Sequence, residues 1–270
     1  MQFNRETFIS RAEVHDQWKD ILIEALQSVD TDYLTELVQS NDWLPGIDQL
    51  FSAFRRDRQN LRYILIGESP YPRAESANGI AFYDAAVDAL WSETGLSKPV
   101  NRATSMRNII KTALLAEGFI EADPEGKISQ ASIAMVDKSG MIQTMGDLFQ
   151  ALQDRGFLML NATPVLHSMR KPVIEAKYWQ GFLGRLLELL APSAKHPVTL
   201  VLWGKIAETI ESLELSTNYQ KLVSEHPYNL SFIHNREMQG LFREIGVLNK
   251  NPLTPTLSPE GRGSFKSPLP

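Results

Sequence analysis

Leu61-Arg62-Tyr63-Ile64-Leu65-Ile66 runs directly into Gly67-Glu68-Ser69-Pro70-Tyr71, so an apolar segment is followed at once by a polar turn that contains glycine and proline. The apolar segment is long enough for one buried strand of a parallel sheet. In open α/β sheets, ligands bind outside the carboxyl ends of such strands. The turn at 67–71 is therefore the first place to expect a functional site.

Three further strand-like runs follow, and helical patterns separate them. The runs span 157–160, 198–203 and 221–224. Helical patterns cover 14–26, 33–38 and 47–56 before the first strand, and 105–117, 146–155, 175–190, 206–213 and 239–245 after it. Strands that alternate with helices predict an α/β fold with a parallel sheet covered on both faces.

Length and composition restrict the class of protein. The chain has 270 residues, of which 43% are hydrophobic, enough for a substantial core. It contains no cysteine, which excludes disulfides and thiolate metal sites and favours a reducing cytoplasm. No apolar run is long enough for a membrane span, and the first residues lack the apolar core of a secretory signal. We therefore expect a cytoplasmic protein without membrane association.

The net charge of −5 argues against a protein that coats nucleic acid over its whole surface. A small basic footprint is still available, because several cations lie near the strand ends. They are Arg102, Arg107, Lys111, Arg170, Lys171, Lys205 and Arg236.

Residues 1–248 are expected to form one domain. Within it, residues 119–144 are weakly patterned and are predicted to be an insertion, with a turn at 123–126 between two short extended pieces. Residues 249–270 are rich in proline and have no period, which predicts a disordered tail. An accidental extension of the reading frame explains this tail as well as any function.

Each predicted strand ends in polar or glycine-containing residues, and parallel strands would bring these ends to one edge of the sheet. Taken singly, each end has a structural explanation. An asparagine after a strand is usually a turn residue, and a lone histidine is more often packed than catalytic. A functional interpretation depends on their order. The ends are Gly67-Glu68-Ser69-Pro70-Tyr71, Asn161-Ala162-Thr163-Pro164, Gly204-Lys205 and Glu225-His226-Pro227-Tyr228-Asn229-Leu230-Ser231.

The order of these motifs resembles that of the uracil-DNA glycosylase family, from about residue 18 to about residue 245. The resemblance implies a three-layer sandwich, in which helices flank a central four-stranded, mainly parallel sheet. The matching motifs are Gly67-x-x-Pro70-Tyr71, Ala77-x-Gly79-x-Ala81-Phe82, Ser105-x-x-Asn108-Ile109-x-Lys111, Leu158-Met159-Leu160-Asn161, Val201-Leu202-Trp203-Gly204 and His226-Pro227-x-x-Leu230-Ser231.

The resemblance also implies a reaction, the cleavage of the N-glycosidic bond of uracil in DNA during base-excision repair, with no metal or cofactor. Phe82 would stack on the extruded base, and Tyr71 would stand where the methyl group of thymine would go. Asn161 would offer uracil an acceptor and a donor together, a pattern that cytosine mispairs. His226 would donate a hydrogen bond to the base as negative charge develops on it.

The partner implied by the resemblance is uracil-containing DNA, single- or double-stranded, bound by a monomer. Leu230 would fill the space left by the extruded base. Ser105 and Ser231 would bind phosphates through hydroxyl and backbone donors.

One catalytic position departs from the family. The family has an aspartate that activates water where this chain has Ser69. A serine hydroxyl carries no charge and is not basic near neutral pH. Glu68 is a candidate substitute, although neighbours on an extended segment point to opposite faces. Alternatively, His226 and substrate strain would expel the base, and Ser69 would only hold the water.

Two other interpretations remain open at this stage. The first is a glycosylase-fold protein that has lost catalysis and binds DNA bases or a protein partner, which the serine and the acidic net charge favour. The second is an unrelated α/β protein with coincidental motifs. It would apply if the loops of Pro70, Asn161 and His226 lay on different faces of the sheet.

Overall fold

A computed structural model describes residues 3–250. Most of the predicted tail, 251–270, lies outside the described residues. The helices are α1 (Arg5–Arg11), α2 (Asp16–Ala25), α3 (Thr31–Gln39), α4 (Lys98–Arg102), α5 (Thr104–Ala116), α6 (Gln130–Ala134), α7 (Met145–Asp154), α8 (Pro172–Ser193), α9 (Ile206–Glu211) and α10 (Arg236–Ile245). The strands are β1 (Trp43–Leu44), β2 (Tyr63–Gly67), β3 (Trp91–Ser92), β4 (Gly95–Leu96), β5 (Phe157–Asn161), β6 (Leu166–His167), β7 (Thr199–Trp203) and β8 (Gln220–Ser224).

The central sheet has four strands in the order β5-β2-β7-β8, and every pair in it is parallel. The predicted α/β fold is confirmed. β2 and β5 pair in register from Tyr63 with Phe157 to Gly67 with Asn161. This register places the ends of the two strands side by side, at the edge where the predicted site should lie.

Helices cover both faces of the sheet, because side chains alternate between its two sides. On one face, Ile64, Leu158 and Leu200 pack against a core that includes α1, α2, α3 and α8. On the other face, Leu65 and Met159 join a core built with α5, α7 and α10. β2, β5 and β7 are buried on both faces, which explains why they are continuous apolar runs, whereas the edge strand β8 is largely exposed.

One predicted helix is wrong. Residues 47–56 form two short 3₁₀ turns, Ile47–Gln49 and Ser52–Phe54. The hydroxyl of Ser52 donates to the carbonyl oxygen of Gln49 at 3.0 Å. Such a local bond from side chain to backbone offers the chain an alternative to a continuous α-helix.

The segment 119–144 contains the predicted turn, since Gly126 N–H donates to the Asp123 carbonyl at 2.8 Å. The two predicted extended pieces are absent from the described secondary structure of 119–144, and α6 lies there instead. The start of α6 is capped by Ser129, whose side chain accepts from Ser132 N–H. A serine cap of this kind is a helix signal that the weak pattern concealed.

This segment contacts β4, α4 and the 3₁₀ helix that follows β8. Gln130 Oε1 accepts from Leu96 N–H at 2.8 Å, and Gln130 Nε2 donates to Asn101 Oδ1 at 2.9 Å. The Gly126 carbonyl lies 2.7 Å from His234 Nε2, at the end of the 3₁₀ helix Leu230–His234. Residues 119–144 therefore support the elements just before α5 and just after β8.

The last described residues are tied to the domain by two charged side chains. Arg155 donates to the carbonyl oxygens of Gly246 and Asn249 at 2.9 and 2.8 Å. Glu117 accepts from Leu248 N–H at 3.0 Å and from Asn249 Nδ2 at 2.7 Å. Burial raises the pKa of Glu117 to about 7, although these hydrogen bonds and Arg155 act in the opposite direction.

Glu117 should make folding stability depend on pH. Its ordinary pKa of 4.5 rises to about 7 in the folded protein. Its contribution to stability is therefore fully present below about pH 4.5 and lost as the pH rises through about 7. We expect this loss to reach about 3 kcal/mol at most. Urea unfolding of the wild type and Glu117→Gln at pH 5 and pH 7.5 measures it.

The glutamine variant should lose less stability than the wild type between these two pH values. Glu121→Gln, at an exposed glutamate, is the matched control and should keep the wild-type dependence. Equal pH dependence in all three proteins would contradict the prediction.

None of the helices within residues 3–250 is long and apolar enough to cross a bilayer.

Candidate active site

A cavity of about 580 Å³ opens at the carboxyl edge of the central sheet. Residues from the ends of β2, β7 and β8 line it, together with the loop after β2. Its polar and aromatic side chains are Glu68, Phe82, Trp203, Lys205, Glu208, Thr209, His226, Tyr228 and Asn229. The predicted convergence of distant motifs at one edge thus brings Glu68, Phe82 and His226 into one cavity.

Asn161 lies next to this cavity, against the end of β2. It is the last residue of β5, is buried, and pairs with Gly67 in the sheet register. A Cβ atom on Gly67 would lie 2.9 Å from Asn161 Oδ1 and 3.6 Å from Phe82 Cε2. The absence of a side chain at Gly67 therefore leaves room for both the amide and the aromatic ring.

Gly67→Ala should disturb this arrangement. The added methyl group would also lie 2.9 Å from Ala81 Cβ, so both Ala81 and Asn161 would have to move. Overpacking of this kind typically costs about 1–3 kcal/mol. We expect the free energy of unfolding of Gly67→Ala to fall by this amount, as measured by urea unfolding. The exposed Gly240, whose Cβ would meet no atom within 4 Å, gives a matched control, Gly240→Ala. Equal stability of Gly67→Ala and the wild type would contradict the prediction.

Phe82 has an unusual backbone conformation for a bulky residue. Its φ is +64°, in the left-handed region that side chains disfavour. Tyr71 Oη donates to the Phe82 carbonyl at 3.2 Å, and the Phe82 ring packs edge-on against Trp203 at a centroid distance of 4.9 Å. Burial, with Asp84 nearby, raises the pKa of Tyr71 to about 12, so its hydroxyl stays protonated and able to donate. Strain held in this way is typical of functional sites.

His226 is held in one tautomer. Its Nδ1 accepts from Tyr228 N–H at 3.1 Å, so the neutral ring carries its proton on Nε2. Burial lowers the pKa of His226 below 6.5, and the nearby Glu68 carboxylate opposes this only in part. At neutral pH the ring is therefore an uncharged donor through Nε2. Gly204 makes room for it, because a Cβ there would lie 2.9 Å from His226 Cβ.

Glu68 and Ser69 differ in position. Glu68 lines the cavity and influences the His226 ring electrostatically. Ser69, which is half-buried, does not line this cavity. The chain bends at 68–69, directly after β2, and Thr163 N–H donates to the Glu68 carbonyl at 3.0 Å. Of the two residues, the glutamate is the one that faces the cavity.

The loop after β8 is anchored from below by a buried side chain. Asn108 Nδ2 donates to the Pro227 carbonyl at 2.7 Å and to the Asn229 carbonyl at 3.3 Å. Leu230, 69% exposed, follows at the start of the 3₁₀ helix Leu230–His234, and Ser231 is exposed beside it. The loop therefore presents an apolar side chain to solvent on a fixed backbone.

A second cavity, of about 510 Å³, adjoins the first. It lies between the loop after β2 and the start of α5, and Tyr228 lines both cavities. Arg73, which also lines it, is paired with the buried Asp84 at 2.9 Å. Its other polar and aromatic lining includes Tyr71, Arg102, Thr104 and Ser105.

Comparison with known proteins identifies the family. No family model matches the chain. Two curated proteins named uracil-DNA glycosylase are similar to it. That of Corynebacterium glutamicum is 24% identical over 223 residues, 81% of each chain. That of Amoebophilus asiaticus is 26% identical over 215 residues, which are 78% of this chain and 82% of the relative. The crystal structure of wild-type UNG from Nitratifractor salsuginis is 36% identical, with a TM-score of 0.84, and the match covers 91% of this chain and 96% of that one.

The chain belongs to the uracil-DNA glycosylase family. Within this family fold, four of the predicted residues lie at the first cavity and five lie outside its lining. Glu68, Phe82 and His226 line the first cavity, and Asn161 lies beside its lining residue Gly67. The remaining predicted residues lie outside it: Tyr71 and Ser105 line the second cavity, Leu230 and Ser231 lie on the exposed loop, and Ser69 stays beside the first cavity.

Three further residues at these cavities had no assigned role in the sequence. Gly67 leaves room for both Asn161 and Phe82, Asn108 anchors the loop of His226, and Tyr228 lines both cavities. Asn108 belongs to a quoted motif, so a signal for it existed. The position of Tyr228 between two cavities left no mark in the sequence.

Proposed function

We propose that this protein is a uracil-DNA glycosylase, a hydrolase that cleaves the bond between uracil and deoxyribose in DNA for base-excision repair. The observation that carries the proposal is one cavity lined by carboxylates, an aromatic ring and a neutral imidazole, with the buried amide of Asn161 beside the lining residue Gly67. Family membership supports the reaction, and these residues support its mechanism.

Recognition of the base falls to three side chains in this proposal. The Phe82 ring stacks on the extruded uracil, with a gain of about 1–3 kcal/mol. Asn161 pairs with the polar edge of uracil, and cytosine would leave this buried amide mispaired. Tyr71, fixed by its bond to the Phe82 carbonyl, excludes the methyl group of thymine.

His226 stabilises the leaving group. As the C1′–N1 bond breaks, its electron pair goes to the base, and negative charge develops on uracil. The protonated Nε2 of His226 donates to this charge, while Nδ1 stays occupied by Tyr228 N–H. A neutral donor held in place before the reaction stabilises such charge without reorganisation.

Glu68 supplies the negative charge on the sugar side. The sugar becomes positively charged as the base leaves, and a carboxylate in the same cavity stabilises that charge. Water then adds to C1′ and its proton passes to the carboxylate, which is general-base catalysis.

DNA binding falls to the exposed loop and to α5. Leu230 enters the duplex where the base has left, and Ser105 and Ser231 bind phosphates on either side. The lack of cysteine supports action in the cytoplasm.

An excision assay tests the function. A labelled oligonucleotide with one uracil, single-stranded or paired, is incubated with the full-length protein and then treated with alkali. Cleavage at the uracil position, and none in oligonucleotides with thymine or cytosine there, is the expected result. Binding of uracil DNA without cleavage at stoichiometric protein would support a base-binding protein without catalysis, and would overturn the proposal.

A further inference from the structure

We infer that Tyr228 is a second stacking residue, which holds a base adjacent to the target nucleotide over the second cavity. This assignment rests on the glycosylase function proposed above and adds a subsite to it. The occupant is the neighbouring nucleotide of the same DNA strand.

Tyr228 is unusual in combining exposure with a fixed backbone. It is 67% exposed. Its N–H is bound to His226 Nδ1 at 3.1 Å, and the preceding carbonyl, of Pro227, is held by Asn108 at 2.7 Å. An aromatic ring with most of its surface in solvent contributes little to a core. Exposed aromatic rings are, however, the platforms on which proteins stack single-stranded bases.

The position of the ring suits a base beside the target. Tyr228 lines both cavities, so it lies beside an extruded base in the first cavity and beside a neighbouring nucleotide at the second. The second cavity, about 510 Å³, is within the size of small-molecule sites, roughly 300–1,000 Å³. It therefore has room for a flat base on the far side of Tyr228.

The chemistry of the second cavity suits the phosphate that joins the two nucleotides. Arg102, which is exposed, and Ser105, in the first turn of the 13-residue helix α5, both line it. A cation and a hydroxyl near the start of a helix favour a phosphate. Arg73 is engaged by Asp84, so Arg102 is the cation that we assign to this phosphate.

Fluorescence of 2-aminopurine tests the assignment. The probes are single-stranded oligonucleotides with a non-hydrolysable 2′-fluoro-deoxyuridine and one 2-aminopurine, placed directly 5′ or directly 3′ of it. A third probe carries 2-aminopurine six nucleotides away. The wild type should quench the probe at one adjacent position and leave the distant one unchanged. Tyr228→Phe, which keeps the ring, should quench equally, and Tyr228→Ala should not.

Kinetics on natural uracil DNA give a second readout. Tyr228→Ala should raise KM by about ten-fold to 100-fold, with kcat within about twofold of the wild type. Tyr228→Phe should keep the wild-type KM. Equal quenching and equal KM in Tyr228→Ala and the wild type would overturn the assignment, as would a Tyr228→Phe variant that behaves like Tyr228→Ala.

The two proposals fail in different ways. If the wild type quenches an adjacent probe but never cleaves uracil DNA, the function is wrong and the stacking role stands. If it cleaves uracil DNA but Tyr228→Ala has normal quenching and KM, the function stands and the stacking role is wrong.

Discussion

Glu68→Gln should lower kcat for uracil excision by about 10²–10⁴, the usual contribution of a general base. Glutamine keeps the size of the side chain but carries no charge, so it neither stabilises the cationic sugar nor accepts a proton from water. KM should change little, because Glu68 is exposed at the mouth of the cavity and supports no buried contact through its side chain. Single-turnover excision from a labelled oligonucleotide measures the effect.

Variants at Ser69 provide the matched control. Ser69→Ala should lower kcat far less than Glu68→Gln, because Ser69 does not line the cavity. Ser69→Asp places a carboxylate at the family position and should raise the activity of the wild type by roughly tenfold or more. If Ser69→Ala lowered kcat as much as Glu68→Gln, the Ser69 hydroxyl would be the group that orients the water. Glu68 would then not be the general base.

His226→Ala should lower kcat by about 10²–10³, the usual loss when one donor to a developing anion is removed. His226→Gln keeps an N–H donor, so its kcat should fall less than that of His226→Ala. The expected result is a large kcat difference between the two variants at similar KM. Equal losses would indicate that the ring acts by packing rather than by donation.

The pH dependence of His226 follows from its environment. Burial lowers its pKa below 6.5, so the neutral donor persists to lower pH than for an exposed histidine. As the pH falls through this lowered pKa, Nδ1 is protonated and its bond from Tyr228 N–H is lost, so activity should fall. Glu68→Gln should lower the pKa further, because the carboxylate favours the cation. A His226 pKa of 6.5 or higher, measured by NMR titration of the wild type, would contradict the predicted lowering.

Three strands, β2, β5 and β7, were predictable because they are buried on both faces, and such strands need continuous apolar residues. The fourth, β8, lies at the edge of the sheet and is largely exposed, although the predicted run at 221–224 marked it to within one residue. Parallel pairing then required their polar ends to meet at one edge. The cavity that contains Glu68, Phe82 and His226 is a direct consequence of that topology.

What the sequence concealed depends on backbone geometry beyond the strands. Alternation on an extended segment predicts that Glu68 and Ser69 point to opposite faces. It does not predict which of them faces the cavity, because the chain bends at 68–69, where β2 ends. The left-handed backbone of Phe82 and the anchoring of the His226 loop by Asn108 arise from distant contacts. Residues 47–56 were misjudged because a hydroxyl of Ser52 competes locally with the helix.

The bond from Tyr71 to the Phe82 carbonyl links two residues of the proposed site. In the proposed function the tyrosine ring excludes a methylated pyrimidine, whereas its hydroxyl holds the left-handed backbone of Phe82. A phenylalanine at position 71 would keep the ring and lose the bond. Selectivity and affinity for the base therefore depend on different parts of one side chain, and this position is where the two can be separated.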